Sequence, residues 1–557
     1  MQLFYLREET PYKATRLVEI INEQRVSPVG EITRLDDLQA EAVPFVERLK
    51  SSMDTGLRDD DEITVVKKTK DGYSFRFIGL YDYVDEKTGI NLTFFFLPKF
   101  VGESAWKDWK EKDESKRDAI RKNREAIRDT VLQAIDRRNR ELSKSDDQTE
   151  ETEERKESLL ERAVRVLRDY LENGVYTVQR RELEHNGQGE IDWETTIDQY
   201  QPVFLKKDGK PRPVYMDYST ELAWSDEDHY ITRLHQCLVT TWGRKLEELG
   251  LSSVLRVNVP LLSEEELDWF GEPAYQIAQI DKELRLQFVT KSRHTLSLMK
   301  DLIRATAENK AANRQSLSFG MNGAAQLWET AIKDVFGDQM ENTSGKLGLS
   351  CPNTEKKNKA LKEFIEPPKW TKHDQQDGAE QKEEEDGASG SRLRPDFIAV
   401  DTSPSKKRLV ILDAKYYLPQ FGDDGKTISH CPGVGDIDKQ FLYQLSFAEL
   451  CEENKLQVLN AFVFPNVPNE GQTSKEQTAN KFVNKFATIN VPLFGWIHDK
   501  LPEEYRKCLS EEILALQVDG IALFKAHAEG RPLDPTQSRL KPILEVAPTE
   551  PSAGGAA

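Results

Sequence analysis

The sequence predicts an α+β multidomain chain: a β-rich N-terminal domain over residues 1–103, a mainly helical middle region over 156–310 and a C-terminal α/β domain with a mixed central sheet over 311–546. Three observations carry this. At 557 residues the chain exceeds what one hydrophobic core serves, so two to four folded units are expected. The apolar period changes along the chain, from strand-like runs near the start, through helical spacing in the middle, to an interleaving of both. Acidic, core-free stretches at 143–154 and 374–391 separate or interrupt these blocks.

In the first block, residues 62–68, 73–80 and 91–97 alternate or run apolar, and Asp71-Gly72 and Thr88-Gly89 mark turns. Residues 104–155 form a charged helix and an acidic linker. The helix, to about residue 142, has a narrow stripe of Ile120, Ile127, Val131 and Ile135. Its Arg121, Lys122, Arg124, Arg137 and Arg138 either touch phosphates or form a solvated face paired with neighbouring acids, and the paired face is the simpler reading. In the middle region, 157–171, 228–249 and 284–306 read as helices, and 175–183 with 190–197 as a hairpin around His185-Asn-Gly-Gln-Gly189. His235, alone within its helix, reads as structural.

The C-terminal block holds the chemistry. Helix 324–336 places Leu327, Trp328, Ala331, Ile332, Val335 and Phe336 on one arc, with Gly337 as its stop. Glu329 falls at the edge of that arc, where it either faces a site or is an ordinary surface acid. Residues 342–391 interrupt the domain, and the acidic 374–391 insertion is expected to be disordered. Such a loop lengthens at little cost because closure entropy grows logarithmically. Asp396 follows Pro395 at the head of a short apolar run, a Thr-Ser-Pro-Ser-Lys-Lys turn follows, and 408–415 returns as a second strand. On that strand Ile411, Asp413 and Lys415 share one side, so Asp413 and Lys415 stand roughly 6–7 Å apart. Helix 436–451 carries Lys439, Gln440 and Tyr443 on one polar face. Residues 457–465 and 488–497 read as further strands and 503–528 as a closing helix. The tail from 547 is expected to be disordered.

Two carboxylates and a lysine in this arrangement suit phosphodiester hydrolysis. A divalent cation polarises the phosphoryl oxygen and lowers the pKa of an attacking water, and hard oxygen ligands suit Mg²⁺ or Mn²⁺. Asp396 and Asp413 are the expected ligands, and Lys415 the charge that orients the water or stabilises the developing negative charge.

The stretch RLRPDFIAVDTSPSKKRLVILDAKYY, residues 392–417, resembles the PD-(D/E)xK nuclease superfamily, in which such a hairpin follows a helix carrying a Glu and precedes a helix that helps hold the DNA. That resemblance implies Glu329 as an assisting acid and Lys439, Gln440 and Tyr443 as substrate contacts. Nucleases related to RecB space the Gln and Tyr one residue further apart. The LWE helix, the PD hairpin, the DAK strand and the DIDKQFLYQ helix together resemble the McrC-like or LlaJI-type restriction endonuclease subunits. This implies a DNA endonuclease of a restriction or anti-phage system, partnered by a McrB-like AAA+ GTPase. The segments Ile78-Gly-Leu and Thr93-Phe-Phe-Phe-Leu-Pro-Lys99 resemble the N-terminal part through which McrC-like proteins engage that motor, and they also read simply as a sheet core.

Composition sets the bounds. A formal net charge of −19 argues against a chain that finds DNA by its global field, so local patches or a partner must supply affinity. No apolar run approaches the roughly 20 residues of a membrane span and the N-terminus lacks an apolar signal region, so a cytoplasmic protein without membrane attachment is expected. Five scattered cysteines give no zinc framework. The nearest match to a P-loop, Gly422-Asp-Asp-Gly-Lys-Thr427, has two residues between its glycines where four are required, so if nucleotide hydrolysis drives the system it is expected in another polypeptide. Two rivals stand beside the endonuclease reading: a RecB-type repair nuclease acting from ends, and a noncatalytic adaptor that stimulates a motor.

Overall fold

The computed structural model of the chain describes residues 2–24, 41–57, 64–85, 87–145, 157–207, 210–312, 316–351, 359–366, 369–370, 387–388, 393–403, 407–466, 482–534 and 538–546. Two compact units result. The larger comprises Gln2–Tyr81, Asp85–Glu154 and Gly320–Ala557, and the smaller is chiefly Arg155–Phe319 with Asp82–Val84. The N-terminal segment, expected as a domain of its own, therefore clusters with the C-terminal one.

The N-terminal segment comprises β1 (Leu3–Arg7), α1 (Ala14–Glu23), α2 (Ala42–Gly56), β2 (Val66–Thr69), β3 (Gly72–Phe75), β4 (Ile78–Val84) and β5 (Asn91–Leu97), all in the larger unit except Asp82–Val84 of β4. β1 runs parallel to β5, from Leu3 opposite Thr93 to Arg7 opposite Leu97, and β4 lies on the other side of β5. Phe94, Phe95 and Phe96 are all buried, as a continuous apolar run in a strand covered on both faces requires. The expected strand 73–80 is two strands: β3 pairs with β2, while β4 enters the sheet. In α3 (Glu114–Ser145) Ile127, Val131 and Ile135 are buried, and Arg121 and Arg137 pair with Asp118 and Glu141. The acid-paired reading of that face holds for these two residues.

The C-terminal part comprises α4 (Ala325–Phe336), β6 (Phe397–Asp401), β7 (Arg408–Ala414), α5 (Val434–Ser446), α6 (Ala448–Asn454), β8 (Gln457–Pro465), β9 (Val483–Asn490), β10 (Glu512–Val518) and α7 (Gly520–Glu529). Five strands form one mixed sheet in the order β6-β7-β8-β10-β9. The two outer pairs, β6 with β7 and β9 with β10, are antiparallel, and β7, β8 and β10 are parallel. α5 and α6 make the crossover that the parallel β7–β8 pair requires. α4 is the helix its periodicity predicts, closed by Gly337 at φ 78°, a left-handed conformation that suits glycine.

Three expectations are corrected here. The strand expected over 488–497 is β9, which ends at Asn490, and Pro492 opens a helix, Pro492–His498. Proline fixes φ and lacks an N–H, which suits the first helical turn. The single helix expected over 503–528 is a short helix Glu503–Arg506, then β10, then α7. β10 is buried at consecutive positions, so its apolar run carries no alternation, and periodicity alone does not separate such a strand from a buried helix. Within the 374–391 insertion, Gly387–Ala388 pairs with Lys369–Trp370. The rest of the insertion, like the 547–557 tail, lies outside the described residues.

The smaller unit contains helices Leu159–Asn173, Tyr230–Glu248, Pro273–Leu286 and Thr290–Ala311. Ser158 and Glu161 cap the first of these reciprocally. His235 is buried and its Nδ1 accepts the Tyr176 N–H at 3.0 Å, a structural role. The region also carries more sheet than expected. Strand Val178–His185 pairs along its whole length with Ser219–Asp226, whereas Glu190–Ile191 makes only a short ladder to the same strand. Residues 193–197, expected as the end of the returning strand, fall in helix Trp193–Gln199, whose N-terminus Asp192 caps through the N–H groups of Glu194 and Thr195. A separate hairpin joins Val203–Lys207 to Lys210–Val214.

Candidate active site

The antiparallel register sets Phe397 opposite Leu412, which brings Asp396, one residue before β6, beside Asp413. Asp396 Oδ2 accepts the Ala414 N–H at 2.8 Å, and Asp413 is 5% exposed. Burial, then a hydrogen bond with the Asp413 carboxyl and that group's charge, with a contribution from Glu329, push the Asp396 pKa up to about 8. Asp396 is therefore harder to ionise than a free carboxyl.

Lys415 lies just beyond β7, and its Nζ sits 3.2 Å from Asp413 Oδ1 and 3.5 Å from Asp436 Oδ1. Burial works against its charge, but Asp413, Asp436 and Asp396 outweigh that and raise its pKa. Asp436 occupies the first turn of α5, where the helix dipole favours an acid. Sequence reading used it only as a helix start. It stands at the start of the helix that also holds Lys439, whose Nζ is 3.8 Å from its Oδ1.

Glu329 is half-buried at the edge of the apolar arc of α4 and pairs with Lys333 one turn on. Among the described residues no three His, Cys, Asp or Glu side chains gather at metal-ligand spacing, so the structure unites the Asp396–Asp413 pair and leaves Glu329 beside it. The neighbouring Trp328 is fully buried, and its indole N–H donates to the Val463 carbonyl at 3.2 Å. That same carbonyl accepts the Lys415 backbone N–H at 3.0 Å. One oxygen on β8 thus positions both the Glu329 helix and the Lys415 backbone.

The open polar face expected for Lys439, Gln440 and Tyr443 is not formed. Gln440 and Tyr443 are buried where α5 packs on the sheet, and only Lys439 is substantially exposed. Tyr443 sends its ring into the core with Phe447 and Ile398, and its hydroxyl donates to the Arg394 carbonyl at 3.0 Å, fixing the segment that leads into Asp396. Burial, with the charges of Asp413, Asp396 and Asp436 adding, raises its pKa and keeps the phenol a donor. Among the described residues the Gln440 side chain has no hydrogen-bond partner, and its backbone carbonyl accepts from Asn460 at 2.9 Å.

Glu8 is a residue that sequence reasoning missed. It is buried, its Oε2 accepts the Tyr416 hydroxyl at 2.8 Å and its Oε1 accepts the Ala324 N–H at 3.0 Å. It therefore ties the start of α4 to the residue after Lys415. Around this link Phe100, Trp328, Tyr416 and Phe524 pack with ring centroids 5.5 to 6.3 Å apart. Burial pushes the Glu8 pKa up to about 7, against the lowering effects of Tyr416 and Lys99. No local pattern marks a single acid at the end of β1 as a core residue.

The chain belongs to a restriction endonuclease family. That family is described as LlaJI restriction endonuclease, and its model matches residues 90–493, a span that holds Glu329, Asp396, Asp413, Lys415 and all of α5. A relative from Bacillus subtilis (strain 168), described as "Type II restriction enzyme BsuMI component YdjA", is 28% identical over 298 residues, which is 53% of this chain and 55% of the relative. The chain thus spans about half the length of that relative. Among the described residues no helix is long and apolar enough to cross a membrane.

Proposed function

We propose that this chain is a metal-dependent DNA endonuclease subunit of a restriction system, with a PD-(D/E)xK nuclease fold in its C-terminal sheet and a McrB-like AAA+ GTPase as partner. The observation that carries the reading is the convergence of Asp396, Asp413 and Lys415 at one end of a mixed sheet. Two adjacent carboxyls, Asp413 buried and Asp396 half-buried, fit a hard divalent cation such as Mg²⁺ or Mn²⁺, which would offset the repulsion between them. When bound, such a cation supplies Lewis acidity and a more acidic water.

The protein's own contribution is orientation and charge. Asp396 and Asp413 would hold the cation, with Asp396 fixed by the Ala414 N–H. Lys415, steadied by Asp413 and Asp436, places an ammonium where negative charge develops on the phosphoryl group. Glu329 supplies a further acid from α4, and Tyr443 and Trp328 keep the surrounding backbone in place. The GTPase partner rests on the family resemblance, the unfavourable net charge of −19 and the lack of a P-loop motif in the sequence. Residues 422–427 instead lie in the turn between strands Gln420–Phe421 and Ile428–Ser429.

The test is cleavage of closed circular DNA by the chain with Mg²⁺, alone, with the GTPase and with the GTPase plus GTP. Strong cutting only in the last case is expected, and chelation of the metal should stop it. Cutting of linear DNA alone would favour the RecB-type nuclease, and stimulated GTP hydrolysis without cutting the adaptor.

A further inference from the structure

The hairpin Val203–Lys207 and Lys210–Val214 of the smaller unit presents every described side chain to solvent. Phe204 is 63% exposed and Leu205 55%, so these residues do not serve a core. Over 203–214 the sequence places Lys206, Lys207, Lys210 and Arg212 against the single acid Asp208, in a chain whose net charge is −19. On the strand pair Val178–His185 and Ser219–Asp226 of the same unit, cations are neutralised in place: Arg180 pairs with Asp226 and Arg181 with Glu221. Among the described residues Lys206, Lys210 and Arg212 have no such acid.

The backbone narrows the kind of partner. Pro211 pairs with Lys206 and Pro213 with Phe204, and since proline has no N–H these must be the non-hydrogen-bonded pairs of the ladder. At both positions the N–H that would face outward is missing, which blocks addition of a further strand to that edge. On that edge recognition falls to the side chains: cations, with an aromatic and aliphatic residues between them. A two-stranded β-ribbon fits the major groove of duplex DNA, and lysine and arginine neutralise its phosphates.

We propose that this hairpin is a docking element for duplex DNA, with Leu205, Lys210 and Arg212, which share one face, toward the groove and its phosphates and Lys206 reaching a phosphate from the other face. The choice of polyanion rests on the nuclease reading above. The test measures binding of the full chain to a short fluorescent duplex in EDTA, across a salt series, against the variant Lys206→Glu, Lys210→Glu, Arg212→Glu and the milder variant with serine at the same positions. Both should melt like the wild type, because the altered side chains are exposed. The glutamate variant should bind at least about tenfold more weakly, and the slope of log affinity against log salt should fall by about 0.9 for each phosphate contact removed. Wild-type affinity and slope in both variants would overturn the proposal while leaving the nuclease reading intact. So would unchanged DNA binding with lost binding to the GTPase subunit, which would make the hairpin a protein contact, and so would a wild-type chain that does not bind duplex DNA. Weakened binding by the variants, together with a wild-type chain that cuts no DNA under any condition, would sink the nuclease reading and keep the docking element.

Discussion

The β6–β7 pair that carries the two aspartates and the 203–214 hairpin are both antiparallel ribbons of short strands, yet they treat their side chains in opposite ways. In β7 every residue from Arg408 to Asp413 is buried, while the described side chains of the hairpin are all exposed. In the first ribbon the fold imposes geometry on charge: burial and the facing aspartate raise Asp396, and its oxygens have fixed partners. In the second, Lys206, Lys210 and Arg212 have no acidic partner among the described residues and proline blocks one backbone edge, which leaves the side chains available to something outside the chain. Polar groups placed by a sheet interior suit chemistry, and polar groups on an unsupported ribbon suit association.

The sharpest way to break this contrast is to remove charge from the buried ribbon. Asp413→Asn keeps the shape of the side chain but withdraws a carboxylate from the pair, so cleavage should fall by at least about 10²–10³-fold. Melting and circular dichroism should stay close to wild type. Cleavage at the wild-type rate by the purified variant would remove Asp413 from the site. A matched truncation compares the packing. Leu412 is fully buried, so Leu412→Ala should cost about 2–5 kcal/mol in chemical denaturation, whereas Leu205→Ala should stay within about 0.5 kcal/mol. Similar losses at the two positions would show that the hairpin is packed after all.

A smaller effect separates the interior of the larger unit by pH. Glu8 has its folded pKa raised from 4.5 to about 7, so between those values the folded chain keeps a proton that the unfolded chain has released. Folding stability from this group is then highest below about pH 4.5 and is lost as pH rises through about 7. Glu8→Gln cannot ionise, and against it the wild type should lose up to about 3 kcal/mol across that window. Parallel stability curves for the two proteins would mean that Glu8 is not held as a neutral acid.

The sequence by itself determined what lies close along the chain. Asp396 at the head of one strand, Asp413 near the end of the next and Lys415 two residues on follow from a hairpin and the two-residue period of a strand, and the structure brings the three side chains together. The apolar arc of α4 and its glycine stop were legible for the same reason, since a helical period fixes which residues share a face. Tertiary structure alone decided the rest. It set Glu8 against Tyr416 across 408 residues and Asp436 against Lys415. Burying Tyr443 turned an expected substrate contact into a prop for the Arg394 carbonyl. It also made β10 a strand by placing a neighbour on each side. Local spacing fixes direction, but whether a polar side chain meets water, substrate or another carboxylate depends on which distant element packs over it, and no short-range period encodes that contact.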